Sequence, residues 1–349
     1  MTQRDKLFPS ERSLLNWPSI PIPRARELNA QAPWKIAVWR PRGGIGDLLM
    51  LTPTFKELKY IFPNCSITLV TSPEYCDGVL VETVWGNPHI NNIADYRIVD
   101  LEQFDIVLNM DCPCVPMELP GRIPPNRIDL FAWSAGLSLH DTQTVYVLKP
   151  EEIKWANDFL AASHVTERTP IIFYQPFASN RKRSVTVDQS KQILSALRIR
   201  WPSCAIFVST HGTDWAGPVD FSLMNCIHLK NYSLRLLAAL INVCHCTIAP
   251  DSAMLHVAGA LKRPLIGLFG PTPPESRLNY YPNSVGICPG KGLKCYTSWY
   301  ENCSFGYACW NRLSSNDVIL ATERALQGQY DSQIKEGHLN TQGIMIEEV

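Results

Sequence analysis

Residues 34–58 read WKIAVWRPRGGIGDLLMLTPTFKEL, a strand, a glycine-rich turn and a helix in succession. Ile36 to Trp39 is a short apolar run rich in strand formers. Gly43, Gly44 and Gly46 let the backbone turn sharply and approach a ligand without Cβ interference. The segment 48–58 continues with an apolar face that Pro53 interrupts. Proline is tolerated in a first helical turn, so the regular helix is expected to begin near Thr52. Asp47 stands where turn meets helix. Its carboxylate has two readings: a helix cap, or a group facing a cleft at the carboxyl end of the first strand, where open α/β sheets bind ligands. The glycine spacing is neither G-x-G-x-x-G nor a Walker P-loop.

The composition sets the scale. A chain of 349 residues, 46% of them apolar, is expected to hold about two domains of ordinary size. Lys plus Arg equals Asp plus Glu at 32 each, so no charge bias points to nucleic acid. No uncharged apolar run is long enough to span a bilayer. The first residues lack an apolar signal core, which gives a cytoplasmic expectation. Composition leaves peripheral contact with the inner face of a membrane open. Twelve cysteines then point to thiols or metal ligands rather than to a disulfide framework.

Residues 1–33 form a polar, proline-rich arm. From Trp34 strands alternate with helices: strands at 66–71, 90–93 and 105–109, and helices at 73–83 and 131–137. Residues 111–127 are proline-rich and read as a loop over a sheet edge or a cleft. A helix at 151–163 leads to a second half with the same rhythm. Its strands are expected at 170–174, 204–209, 246–249 and 265–269, and its helices at 187–200, 233–241 and 252–261. Strands alternating with helices imply parallel sheets. The expected organisation is two Rossmann-like α/β domains, 34–165 and 166–327, facing each other across a ligand-binding cleft, with a tail at 328–349.

The segment 248–274, IAPDSAMLHVAGALKRPLIGLFGPTPP, carries the strongest local signal. Asp251 and Ser252 end a strand and open a helix, and His256 lies four residues after Ser252, on one helix face with it. Gly270, Pro271 and Thr272 form a tight turn after the next strand. A helix N-terminus attracts phosphate through its unpaired N–H groups and its dipole. Asp and Ser are also the commonest N-caps.

Taken together, GGIGDLLMLTP, APDSAMLHVAGALKRPLIGLFGPT and CPGKGLKCYTSWYENCSFGYACWNRLS resemble glycosyltransferase family nine, the ADP-heptose heptosyltransferases of lipopolysaccharide synthesis. The resemblance runs over roughly residues 34–327. It implies a GT-B fold, with the acceptor in the first domain and the nucleotide-sugar in the second. By the same resemblance Asp47 matches the catalytic base. Asp251, Ser252 and His256 match positions near the donor diphosphate, where the family's following glycine is Ala253 here. The loop after the 170–174 strand reads Ser179, Asn180, Arg181, Lys182, Arg183 and lacks the family's Trp-Pro, so Lys182 and Arg183 are both candidates for the phosphate cation. Asp214 is the nearest carboxylate to the nucleoside-binding position. Gly44, Gly46, Gly270 and Thr272 complete the donor-side set.

The chemistry asks for the same groups. Moving a sugar from a nucleotide diphosphate needs a base for the acceptor hydroxyl, positive charge or a helix N-terminus for the leaving diphosphate, and exclusion of water. The chain holds no Asp-x-Asp pair, so no catalytic metal is expected and cationic side chains take its place. The expected reaction is inverting transfer from a nucleotide-sugar, ADP-heptose by resemblance, to a glycan, lipid-linked or protein acceptor. Two alternatives are a nucleotide-sugar hydrolase or epimerase of the same fold and a non-catalytic nucleotide-sugar-binding module. Cys288, Cys295, Cys303 and Cys309 fall at intervals of seven, eight and six. One related branch of the family builds an iron site from cysteines here. These four are therefore candidate ligands of one structural zinc or iron ion, against the alternative of ordinary thiols.

Overall fold

A computed structural model describes residues 28–75, 78–111, 113–114, 118, 121–165, 170–210, 221, 224–298, 303 and 305–327. Most of the N-terminal arm and all of the tail at 328–349 lie outside the described residues. The chain divides into two compact units, residues 1–117 with 127–147, and residues 118–126 with 148–349.

The first unit is a four-stranded parallel sheet in the order β3-β2-β1-β4. Its elements are β1 (Lys35–Trp39), α1 (Ile45–Ile61), β2 (Ser66–Thr71), α2 (Val79–Thr83), β3 (Asn92–Asp95), β4 (Ile106–Asn109) and α3 (Arg127–Ser134). β1 pairs with β2 on one side, Val38 opposite Leu69, and with β4 on the other, Val38 opposite Leu108. The chain therefore reverses its direction of winding between β1 and β4, and the carboxyl ends of those two strands form the switch point where such sheets take ligands.

The helix after the glycine turn starts at Ile45, not near Thr52, so Pro53 stands inside it. Proline has no N–H for the carbonyl four residues back, which is that of Leu49. The Thr52 hydroxyl takes its place, donating to the Leu49 carbonyl at 2.7 Å, and its oxygen accepts from the Val145 N–H at 2.9 Å. One side chain thus satisfies the carbonyl that proline leaves unpaired. Leu48, Leu49, Met50 and Leu51 are all buried, so this first part of α1 is covered on every side.

The second unit is a six-stranded parallel sheet in the order β10-β9-β8-β5-β6-β7. Its elements are α4 (Pro150–Ala162), β5 (Ile171–Tyr174), α5 (Val187–Arg200), β6 (Ala205–Ser209), β7 (Ile227–Leu229), α6 (Leu234–Val243), β8 (Cys246–Pro250), α7 (Ala253–Ala260), β9 (Leu265–Leu268), α8 (Glu275–Leu278), β10 (Ser284–Ile287), α9 (Ala308–Asn311) and α10 (Ser315–Leu326). β5, β8 and β9 are buried throughout, as strands covered on both faces must be. Ile172, Tyr174, Ile248, Ile266, Leu268 and Trp310 share one core. The Glu152 carboxylate on α4 forms a buried ion pair with Arg235 on α6 at 2.6 Å and also accepts from the Lys149 N–H, which closes the start of α4. The switch point lies between β5 and β8.

The chain therefore has the mixed α/β, double parallel-sheet character expected of GT-B. No element was expected at β7, β10, α8, α9 or α10, and the 73–83 helix shrinks to Val79–Thr83. Among the described residues no helix is long and apolar enough to cross a membrane.

Candidate functional site

In the first unit the site is built on β1 and the turn that follows. Asp47 lies in the first turn of α1, where the helix dipole favours a carboxylate. It does not cap that helix from the N-cap position, which Gly44 holds. The Asp47 Oδ1 is hydrogen-bonded by the Arg127 guanidinium, and its Oδ2 lies 3.4 Å from that of Arg40. Arg40 is only 1% exposed, donates to the Met110 carbonyl at 2.6 Å and lies over the Phe131 ring. Met110 follows β4, so Arg40 ties the two carboxyl ends of the switch point together. Asp47 is still 23% exposed. Gly43 has φ +131°, and a Cβ there would meet the Arg40 guanidinium at 2.4 Å. The glycine turn thus makes room for the arginine that steadies Asp47.

In the second unit the polar groups gather at the carboxyl ends of β5 and β8. Asp251 directly follows β8 and is buried among cations. Its Oδ2 lies 3.6 Å from Arg183 and 3.6 Å from Arg277, and its Oδ1 lies 3.6 Å from His256. Burial alone would raise the Asp251 carboxyl, but Arg277, His256 and Arg183 hold it well below the usual carboxylate range. Arg277 is itself buried and also meets Glu118 at 3.3 Å. The His256 Nδ1 pairs with the Tyr281 hydroxyl at 2.8 Å. Ser252 holds the N-cap position of α7 but makes no side-chain cap; its hydroxyl reaches Gln175 Oε1 at 3.4 Å. Ala253, where the family has glycine, lies inside α7 and has no left-handed φ, so the position does not demand glycine.

Lys182 and Arg183 take different places. Lys182 is buried, and its ammonium donates to the Ser298 carbonyl. Arg183 keeps 29% of its side chain exposed while donating to the Asp251 carbonyl at 2.8 Å and reaching the Ser179 hydroxyl at 3.3 Å. Gly270 and Thr272 are buried in the turn after β9. The Thr272 hydroxyl is buried without a hydrogen-bond partner. Asp214 lies outside the described residues.

The four late cysteines do not make a ligand set: among the described residues no group of three or more His, Cys, Asp or Glu is placed to hold a metal ion. The ten described cysteines are thiols that form no disulfide. Cys288 donates to the carbonyls of Gly270 and Thr272 at 3.7 and 3.9 Å, and Cys303 accepts from the Tyr307 N–H at 3.3 Å. Burial pushes the Cys288 thiol up to about 12, and burial with Cys295 nearby pushes Cys309 up to about 11. Cys288 thus braces the turn at Gly270.

Several of these residues were not marked in the sequence. Arg40 had a usable signal, because it directly follows β1 at a strand's carboxyl end. Arg127, Glu118, Arg277 and Tyr281 had none, since each reaches its partner from a distant part of the chain.

The comparisons agree with this architecture. Residues 225–308, which include Asp251, Ser252, His256, Gly270 and Thr272, match the sequence model of glycosyltransferase family 9 (heptosyltransferase). No curated protein sequence matches the chain. A glycosyl transferase family 9 structure from Veillonella parvula DSM 2008 is 16% identical, with 86% of this chain and 100% of that one covered and a TM-score of 0.63. The E. coli ADP-heptose lps heptosyltransferase II is 14% identical, with 85% and 100% covered and a TM-score of 0.60. TibC from enterotoxigenic E. coli H10407, an iron-containing dodecameric glycosyltransferase, is 12% identical, with 86% and 78% covered and a TM-score of 0.59. A second TibC structure is a complex with ADP-D-beta-D-heptose. At these identities the structural likeness establishes the fold alone, and the family model matches one segment of the second unit. The chain has the GT-B fold of these structures and, over residues 225–308, a segment that matches glycosyltransferase family 9.

Proposed function

We propose that this protein transfers a sugar, with inversion, from a nucleoside-diphosphate donor to a hydroxyl of a glycan, lipid-linked or protein acceptor. The donor belongs to the ADP-heptose class. The observation that carries the reading is Arg183, a partly exposed cation beside the uncapped start of α7, at the carboxyl ends of β5 and β8. A helix N-terminus with a guanidinium beside it suits a diphosphate leaving group. In the first unit Asp47 is the base that takes the acceptor's proton. One displacement by the acceptor oxygen forms the new C–O bond, releases the diphosphate and inverts the anomeric centre. The cations do for the leaving group what a divalent ion would do, so transfer is expected to survive EDTA. Loss of activity in EDTA, restored by Mg²⁺, would refute that part.

Arg183 and Lys182 separate the reading from a folding effect. Arg183→Ala is expected to weaken ADP binding by roughly 10- to 100-fold, the value of a hydrogen-bonded charge, and adenosine binding far less. Lys182→Ala is expected to lower the unfolding midpoint first, because it removes a buried link to Ser298. Calorimetric titration with ADP and adenosine decides the matter. Unchanged ADP affinity in Arg183→Ala would place the diphosphate elsewhere. A structural zinc or iron ion on Cys288, Cys295, Cys303 and Cys309 is a separate proposal. Cys309 lies near Cys288, Cys295 and Cys303, and elemental analysis of protein purified without an affinity metal tests the proposal: stoichiometric metal supports it and none refutes it.

A further inference from the structure

Two turns carry the polar groups assigned to the donor, residues 179–183 after β5 and 270–272 after β9. Both rest on the side chain of Trp310, which is fully buried. The indole N–H donates to the Lys182 carbonyl at 2.9 Å. That carbonyl belongs to the peptide bond whose nitrogen is Arg183's own. The same ring lies against the other turn. A Cβ on Gly270 would sit 2.9 Å from Trp310 Cζ2 and 3.0 Å from Cε2, so the turn touches the ring through a bare glycine Cα. On the opposite side of the turn, a Cβ on Gly290 would meet the Gly270 carbonyl oxygen at 2.0 Å.

The ring is well held. Trp310 donates its own N–H to the Tyr307 carbonyl at 2.9 Å, and Tyr307 has φ +60°, which sets the entry into α9. The link continues through the turn. Asn180 accepts from the Lys182 N–H at 2.8 Å, the Lys182 ammonium reaches Ser298, and Arg183 reaches the Asp251 carbonyl at 2.8 Å. A buried indole N–H has to find an acceptor, and which one it takes depends on what the fold brings to it. This one directs its single polar side-chain atom at the peptide that precedes the partly exposed Arg183.

We propose that Trp310 is a positioning residue for donor binding, whose indole N–H fixes the Lys182–Arg183 peptide so that the Arg183 guanidinium meets the diphosphate. Its ring sets the Gly270 turn at the same time. The proposal rests on the reading of Arg183 as the diphosphate cation. Trp310 itself does not touch the donor.

A double-mutant cycle tests it in the full-length protein. Trp310→Phe keeps a ring and removes the donor. Calorimetric titrations with ADP and with adenosine, and thermal unfolding, are run on the wild type, Trp310→Phe, Arg183→Ala and the double variant. Trp310→Phe is expected to weaken ADP binding by roughly 10-fold, from one lost hydrogen bond to a buried carbonyl, and adenosine binding by much less. In the Arg183→Ala background Trp310→Phe is expected to cost no further ADP affinity, because neighbours acting through one group are not additive. Equal losses in both backgrounds, or for both ligands, would make Trp310 a packing residue and overturn the proposal, with the Arg183 reading intact. An Arg183→Ala protein that binds ADP normally would overturn both. Where Trp310→Phe fails to fold, site-specific incorporation of 3-benzothienylalanine at position 310 keeps the bicyclic ring, removes only the donor and carries the same comparison.

Discussion

Asp47→Asn is expected to leave the protein folded and able to bind ADP, and to lower sugar transfer by about 10²- to 10⁴-fold, the usual cost of losing a general base. The variant keeps the shape and one acceptor oxygen, but its amide cannot take a proton at neutral pH. Arg40 and Arg127 approach different oxygens of the carboxylate, which fixes its orientation. A carboxylate offers about four lone-pair directions, so a contact at each oxygen is compatible with accepting a proton from an acceptor hydroxyl. Its partial exposure gives the hydroxyl a route of approach. The substitution also removes the charge opposite the buried Arg40, so a lower unfolding midpoint is expected alongside the activity loss. Product formation by mass spectrometry, ADP titration and thermal unfolding separate the effects. Near-normal turnover in a folded Asp47→Asn protein would remove Asp47 from the reaction.

The largest stability effect is expected at Arg277. This guanidinium is buried between Asp251 and Glu118. Arg277→Met is expected to destabilise the second unit by about 3–5 kcal/mol, because removing one partner leaves buried carboxylates with less compensating charge. Asp251 keeps Arg183 and His256, whereas Glu118 loses this guanidinium. Glu118→Gln in the Arg277→Met background is therefore expected to recover part of the loss. The pH dependence follows from the direction of the Asp251 shift. Its folded carboxyl is held below its unfolded value, so the stability it contributes is complete above the ordinary aspartate value of about 3.9. That stability is lost as pH falls through the folded value. The difference between wild type and Arg277→Met should thus be full near neutrality and shrink only below about pH 4. Urea denaturation at several pH values measures it. A difference that grows in acid, or that is absent at neutral pH, would mean that the Asp251–Arg277 pair contributes no net stability.

The comparison of Lys182 with Arg183 shows where a local pattern stops being informative. As text the two are adjacent cations in one loop. In the structure the Lys182 side chain turns inward to the Ser298 carbonyl, while Arg183 stays partly exposed beside Asp251. Which way each side chain points depends on a short 3₁₀ turn and on Trp310, which lies 128 residues from Lys182. The late cysteines make the same point. Their spacing suggested convergence, and Cys309 does lie near Cys288, Cys295 and Cys303, yet among the described residues no metal-holding group forms and Cys288 donates to the carbonyls of the Gly270 turn.

The sequence by itself determined the two α/β halves, most of their central strands, the two glycine-bearing turns and the positions of Asp47, Asp251, Ser252 and His256. These features come from short-range rules: strands buried on both faces are continuously apolar, and tight turns need glycine. It misplaced the start of α1, because Pro53 is a helix breaker only when the carbonyl behind it stays unsatisfied, and the Thr52 hydroxyl satisfies it. Only the tertiary structure decided that Arg40 and Arg127 flank Asp47, that Arg277 joins Asp251 to Glu118, and that Lys182 is buried while Arg183 stays partly exposed. Each of those is a contact between groups distant in sequence. A charge buried at 1–2% exposure must find its counter-charge wherever the fold brings one, and no local spacing records where that is.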